Sequence, residues 1–141
     1  MSKSHISKSI RKIIQDQFKN CCAYCQIQQH ISGIHLTVDH IIPETLGGHN
    51  NVDNLCLACW DCNLLKGTRT SLFDYKTQTF IPLFHPQKQI WSEHMKWSYS
   101  KTYVQSETLI GEKTIQALQL NRPQLVLSRE IWAAVGWHPP K

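Results

Sequence analysis

Nowhere does this sequence stay apolar for the roughly 20 residues that a membrane-spanning helix needs. The opening stretch, MSKSHISKSIRKIIQDQF, has no unbroken apolar segment either. A secretory leader is therefore not expected, and a cytoplasmic, reducing setting is. Acidic residues are few, 10 Asp and Glu against 15 Lys and Arg, a formal charge of +5 with neutral histidine. Such mild basicity suits an anionic partner without singling out nucleic acid. No repeat, low-complexity tract or linker interrupts the 141 residues, a length for one domain with a modest core. A basic recognition helix and any base-reading motif are missing too, so no target sequence is legible. What is present, 41% hydrophobic and 18% charged residues, is the composition of a folded globular chain.

The apolar residues Ile6, Ile10, Ile13, Ile14 and Phe18 fall on one helical face, predicting an amphipathic helix over about 6–19 with Lys8, Arg11 and Lys12 outside. Ile34 to Ile42 reads as a strand. The turn-rich loop PETLGGHNNVDN follows, then a short strand over Leu55–Ala58 and a short helix over Trp60–Lys66 stopped by Gly67. Residues 68–141 form a second block. It holds two hairpins at 73–84 and 94–106, with Met95, Trp97 and Tyr99 alternating, and a helix at 110–120. A last helix, with Asn121, Pro123 and Gln124 as its capping pattern, runs to Val135 and stops at Gly136. The two blocks, 1–67 and 68–141, are expected to pack as one compact unit. Trp91, Trp97, Trp132 and Trp137 read as core rather than as base-stacking surface, and the spacing of His85, His94 and His138 assigns them nothing.

Cysteine, by contrast, is plentiful, at six. In a reducing compartment that argues for metal or redox chemistry rather than a disulfide framework. Cys22/Cys25 and Cys59/Cys62 are C-x-x-C pairs, a spacing that lets two thiolates converge on one ion. The 33 residues between the pairs loop out something substantial. The register is not unique, because Cys56/Cys59 is also such a pair and Cys21 is spare. Cys56 reads best as a small buried residue of the second strand. Zinc is favoured over a rubredoxin-like iron site, and a redox pair lacks its βαβ context. A four-cysteine site would be structural, since it leaves no position open to water. Four thiolates with Zn²⁺ would lower the formal charge from +5 to +3.

Within and just past this loop lie Asp39-His40, Gly47-Gly48, Asp53-Asn54-Leu55, Asn63 and Lys66. Singly, each has an ordinary reading: a satisfied structural histidine, a turn cap, a loop holder, a helix C-terminal cation. Together they set hard oxygen ligands, a titratable base and cations around a loop pinned by a metal clip. The ordered string "C-x2-C … V-D-H-I-I-P … G-G … D-N-L … A-C-x2-C-N-x2-K-G", residues 22–67, resembles the HNH endonuclease family, the ββα-metal or His-Me finger nucleases. The second block, with "IPLFHP", "WSEHMKW" and "GWHPP", resembles an extension found beside this motif.

The resemblance implies an α+β fold: a ββα-metal core clamped by a structural zinc at Cys22, Cys25, Cys59 and Cys62. An N-terminal helix precedes it, and an α+β extension ending in two helices follows. It implies His40 as the general base that activates water, Asn54 as the residue that steadies the loop and orients His40, and Asp39 and Asn63 as ligands of one catalytic Mg²⁺ or Mn²⁺. Relatives often carry histidine where Asn63 stands. Lys66, and more weakly Arg69, would meet phosphate. The implied substrate is DNA, most simply double-stranded and nicked one strand at a time, with specificity left to an unidentified partner. The chemistry suits these residue types on its own terms: a carboxylate and an amide oxygen fit a hard divalent cation, and imidazole is a base matched to neutral pH. The competing expectations are a catalytically silent zinc-stabilised nucleic-acid-binding module and a zinc-held interaction domain.

Overall fold

The computed structural model describes residues 5–141. Helix α1, Lys8–Gln17, begins where the Ser7 hydroxyl accepts from the Ile10 amide at 3.2 Å, a serine N-cap. Its inward stripe is Ile6, Ile10, Ile14 and Phe18. Ile13, expected on that stripe, is 50% exposed, because at 100° per residue it falls at the stripe's edge. Lys8, Arg11 and Lys12 face solvent.

The cysteine knuckle at 21–25 leads into a one-turn helix α2, Gln29–Ser32, not foreseen from the sequence and closed by Gly33 at φ 71°. Strand β1 is shorter than expected, Thr37–His40 rather than 34–42. Ile34 and Ile42 lie outside it with their side chains partly in solvent. Strand β2, Leu55–Ala58, pairs antiparallel with β1 in the register Thr37↔Ala58, Val38↔Leu57, Asp39↔Cys56, His40↔Leu55. Two 3₁₀ turns, Glu44–Leu46 and Val52–Asn54, shape the intervening loop. Helix α3, Trp60–Lys66, follows at once, and Gly67 at φ 58° ends it. This is a ββα unit, and the chain is α+β.

Among the described residues the remaining strands form two separate hairpins. The first pairs β3, Ser71–Asp74, with β4, Thr79–Pro82. The Asp74 carboxylate shapes its turn by accepting from the Thr77 amide at 2.9 Å and hydroxyl at 2.7 Å. After a short helix α4, Trp91–His94, β5, Met95–Trp97, pairs with β6, Val104–Ser106. Met95 is buried, but Tyr99 is fully exposed, because the strand has ended before it in the Ser98–Lys101 turn. Helices α5, Leu109–Leu118, and α6, Pro123–Ala134, close the chain. Asn121 does not cap α6 as expected. Its amide instead bonds both the N–H and the carbonyl of Val104, at 2.8 and 2.9 Å, as a neighbouring strand would.

A single buried cluster draws on both blocks, joining Ile14, Tyr24, Leu36, Leu55 and Leu57 to Phe84, Met95, Leu118 and Leu120. Polar ties reinforce it. Trp91 Nε1 donates to the Tyr24 carbonyl at 2.8 Å, and Gln87 Nε2 to the Leu55 carbonyl at 2.8 Å. Trp91 and Trp97 pack with ring centres 5.3 Å apart and planes tilted by 34°, whereas Trp137, expected in the core, is exposed. No helix of the described residues is long and apolar enough to cross a membrane.

Candidate active site and metal centre

The sulfur atoms of Cys22, Cys25, Cys59 and Cys62 all lie within 4.8 Å of one another, and all four residues are buried. The Cys25–Cys59 sulfur separation is 3.7 Å. A tetrahedral ion with metal–sulfur bonds of about 2.3 Å requires edges of about 3.8 Å, so the four sulfurs fit such an ion. Local structure aims them. The Cys22 amide donates to the Ile27 carbonyl at 2.9 Å, and Gln26 closes the knuckle at φ 66°. Cys59 is the N-cap of α3, with its sulfur accepting from the Cys62 amide at 3.4 Å.

The four thiols do not share charge evenly. Burial pushes the Cys22 thiol well up, while hydrogen bonds from Cys22, Cys25 and Cys62 draw Cys59 strongly down toward thiolate. Arg122 offsets part of that charge. Its guanidinium reaches the Cys62 sulfur at 3.7 Å and the Cys59 sulfur at 4.0 Å. Burial opposes the Arg122 charge, but the adjacent Cys62 and Cys25 sulfurs outweigh it, and its pKa rises. The other two cysteines stand apart. Cys56 is fully buried on β2 with its sulfur 3.8 Å from the Tyr24 hydroxyl, and Cys21 donates to the Lys19 carbonyl.

His40 is the last residue of β1, and both it and Asp39 are buried. Adjacent strand residues point to opposite faces. Asp39 therefore shares a face with its register partner Cys56, and His40 with Leu55. The chain then leaves the sheet in a loop that Asn54 clamps. The Asn54 side chain accepts from the Ile42 amide at 2.9 Å and donates to the carbonyls of Ile42 at 3.0 Å and His49 at 2.9 Å. Gly48 is needed for the same closure, since a Cβ there would lie 1.8 Å from the Ile42 carbonyl oxygen.

Asn54 thus acts on the loop, and none of these three bonds reaches the imidazole. The groups that meet His40 were missed from sequence: its Nε2 lies 2.6 Å from Asn50 Oδ1 and 3.2 Å from Glu44 Oε1. A contact between a strand end and a loop ten residues on has no periodic signature.

Helix α3 brings Asn63 and Lys66 to the same side, since residues three apart share a helix face. Lys66 was expected at phosphate. It is instead 2% exposed, and its ammonium donates to the Ile41 carbonyl at 2.8 Å, tying α3 to the end of β1. Arg69 likewise turns onto backbone, donating to the carbonyls of Leu65, Lys66 and Ala117 and so bridging α3 to α5. Asn63 is half-buried and lies one turn before Lys66 on α3. A groove of about 620 Å³ lies elsewhere, lined by Cys59, Trp60, Arg122 and Trp132 on the cluster's side of the molecule.

Comparison with curated proteins and with solved structures returned no match. The family comparison does match, and on the span that holds the four cysteines, Asp39, His40, Asn54 and Asn63: residues 22–69 fit the family model of the HNH endonucleases, whose ββα-metal fold agrees with the β1–β2–α3 unit around the cysteine cluster.

Proposed function

We propose that the chain is a metal-dependent HNH endonuclease that hydrolyses phosphodiester bonds of double-stranded DNA, one strand at a time. The observation that carries this reading is the coincidence, inside the matched segment, of a buried acid–imidazole pair at the end of β1 with the clamped loop beside it. His40 is the general base that takes a proton from water. Asp39 and Asn63 would hold one Mg²⁺ or Mn²⁺. A carboxylate and an amide oxygen are the hard donors such ions prefer, and two protein ligands leave room for water and phosphate. When bound, that ion supplies positive charge to the phosphoryl oxygens and the leaving oxygen. The products are 5′-phosphate and 3′-hydroxyl ends.

Zn²⁺ at Cys22, Cys25, Cys59 and Cys62 is structural in this reading. Two four-residue strands and a seven-residue helix bury too little to hold together alone. Lys66 acts by anchoring α3 to β1. Cysteines gathered into a metal cluster rather than into disulfides suit the cytoplasm.

The test is nicking of supercoiled plasmid in Mg²⁺, Mn²⁺ and EDTA, alongside His40→Ala. Metal-dependent nicking that drops about 10²- to 10⁴-fold in the variant is expected of a general base. A folded, zinc-loaded protein that retains DNA in a salt-sensitive way yet never cuts it would replace the enzyme with a binding module.

A further inference from the structure

The nuclease reading does not say which imidazole nitrogen of His40 takes the proton, and the contacts around the ring decide it. Nε2 faces two oxygens, Asn50 Oδ1 at 2.6 Å and Glu44 Oε1 at 3.2 Å. Both belong to the loop that Asn54 and Gly48 hold closed against Ile42. An amide can present either its oxygen or its nitrogen after a half-turn, so Asn50 alone would leave the ring proton undecided. Glu44 settles the matter. An ionised carboxylate only accepts hydrogen bonds, so a bare lone pair on Nε2 would confront it with no proton between them. Nε2 therefore carries the hydrogen and donates it to Asn50 beside the Glu44 carboxylate. In the neutral ring the lone pair is then on Nδ1.

We infer that Asn50 and Glu44 are positioning residues that fix His40 as its Nε2–H tautomer and make Nδ1 the basic atom. The tautomer rests on the distances; its catalytic meaning rests on the nuclease reading. In that reaction Nδ1 accepts one proton from the attacking water while the water oxygen's electron pair forms the new bond to phosphorus. The bond from phosphorus to the 3′ oxygen breaks, and that oxygen takes a proton from solvent. The imidazolium so formed has both N–H groups in use, with Nε2–H still on Asn50 and next to the Glu44 carboxylate. It returns the Nδ1 proton to solvent. His40 itself is buried, and a ring turned over would set Nδ1 against the same two oxygens and lose the geometry the water needs.

The experiment reads the ring directly. Long-range ¹H–¹⁵N spectra of zinc-loaded protein at about pH 8, where a free imidazole is neutral, report which nitrogen is protonated. The His40 signals are those missing from His40→Ala. The expected result is a protonated, pyrrole-like Nε2 with a resolved ring N–H proton, and an unprotonated Nδ1. In Asn50→Ala the ring N–H should be lost to exchange, and plasmid nicking should show kcat lowered about 10- to 100-fold with KM unchanged. A wild-type His40 protonated on Nδ1 overturns the inference without any variant. So does Asn50→Ala with a wild-type ring signal and wild-type kcat. A wild-type protein that shows the Nε2–H tautomer but cuts no DNA ends the nuclease reading and leaves the positioning of the ring standing.

Discussion

Asn54 gives the sharpest quantitative expectation. Replacing it with alanine strips partners from three backbone groups at once: the Ile42 amide, the Ile42 carbonyl and the His49 carbonyl. The residue is buried, at 4% exposure. Each lost bond costs about 1 kcal/mol where water can replace the amide, and up to about 3 kcal/mol where it cannot. Three such bonds at the lower figure set a loss of at least about 3 kcal/mol. With a urea slope of about 1–3 kcal/mol/M, the unfolding midpoint should fall by about 1–3 M. The assay is urea unfolding at fixed free zinc, followed by tryptophan fluorescence. Asn51→Ala, at an exposed position of the same loop, serves as the control and should stay within about 0.5 kcal/mol of wild type. Asn54→Asp discriminates further. It can still accept from the Ile42 amide but sets a carboxylate against two carbonyls, so it should be at least as damaging as alanine. An Asn54→Ala protein that unfolds at the wild-type midpoint with the wild-type slope would refute the clamp.

The other expectations concern the metal centre and one buried ion pair. Cys59→Ser should lose both a ligand and the α3 cap; since structural zinc contributes roughly 10–16 kcal/mol of binding in small zinc domains, native melting at full zinc occupancy would disprove the clamp. Arg122→Ala should release zinc to a chromogenic chelator about 10- to 100-fold more readily, and an unchanged release rate would remove Arg122 from the site. Asp74 is held down to about 2 by hydrogen bonds from Thr77 and by Lys113, whose ammonium sits 2.9 Å away. A depressed carboxylate contributes stability that is present above the usual carboxylate range of about 4 and is lost as pH falls through the folded value. The difference in melting temperature between wild type and Asp74→Asn should therefore be constant above about pH 4 and shrink between about pH 4 and 2. A difference that does not change over that interval would show that the pair is not coupled to folding.

The parts of the fold that the sequence made legible are those whose determinants are local. Strand β2 and helix α3 were expected at the bounds the structure shows, because Cys59, Gly67 and the second C-x-x-C pair punctuate them within a dozen residues. The cysteine cluster was legible for the same reason, since each pair's spacing already aims two sulfurs at one point. What stayed hidden depends on partners far along the chain. Asn121 has the look of a helix cap, but Val104 offered its amide a paired donor and acceptor, and that won. Lys66 looks like a surface cation at a helix end until β1 is seen to leave the Ile41 carbonyl in its reach. Asn50 sits in a polar loop where any asparagine would pass unremarked, yet it is the residue against the imidazole. Residue types were readable here; the pairing of polar groups across the fold was not.

A metal-loaded cysteine cluster would explain why the second block stays on the first. Four thiolates around a divalent cation leave a net charge of −2, and burying that charge is costly unless cations accompany it. Both arginines that approach it come from the second block. Arg122, at the start of α6, meets two of the sulfurs. Arg129, 1% exposed, donates to the Cys25 carbonyl at 3.4 Å and to the Thr102 carbonyl at 3.1 Å, and lies 5.0 Å from the centre of the Trp97 ring. Burial pulls its pKa down to about 10, against the attraction of Cys25, which still leaves it charged at neutral pH. Helix α6 thus brings a cation to the cluster at Arg122 and, two turns on, a second cation behind it. Without the cluster, Arg129 would sit buried with carbonyls and a ring as its main company; without α6, a metal-loaded cluster would keep its excess negative charge in the core. With an ion bound, each block would offset charge that the other leaves, and this would tie the core of two short strands and one short helix to the rest of the chain.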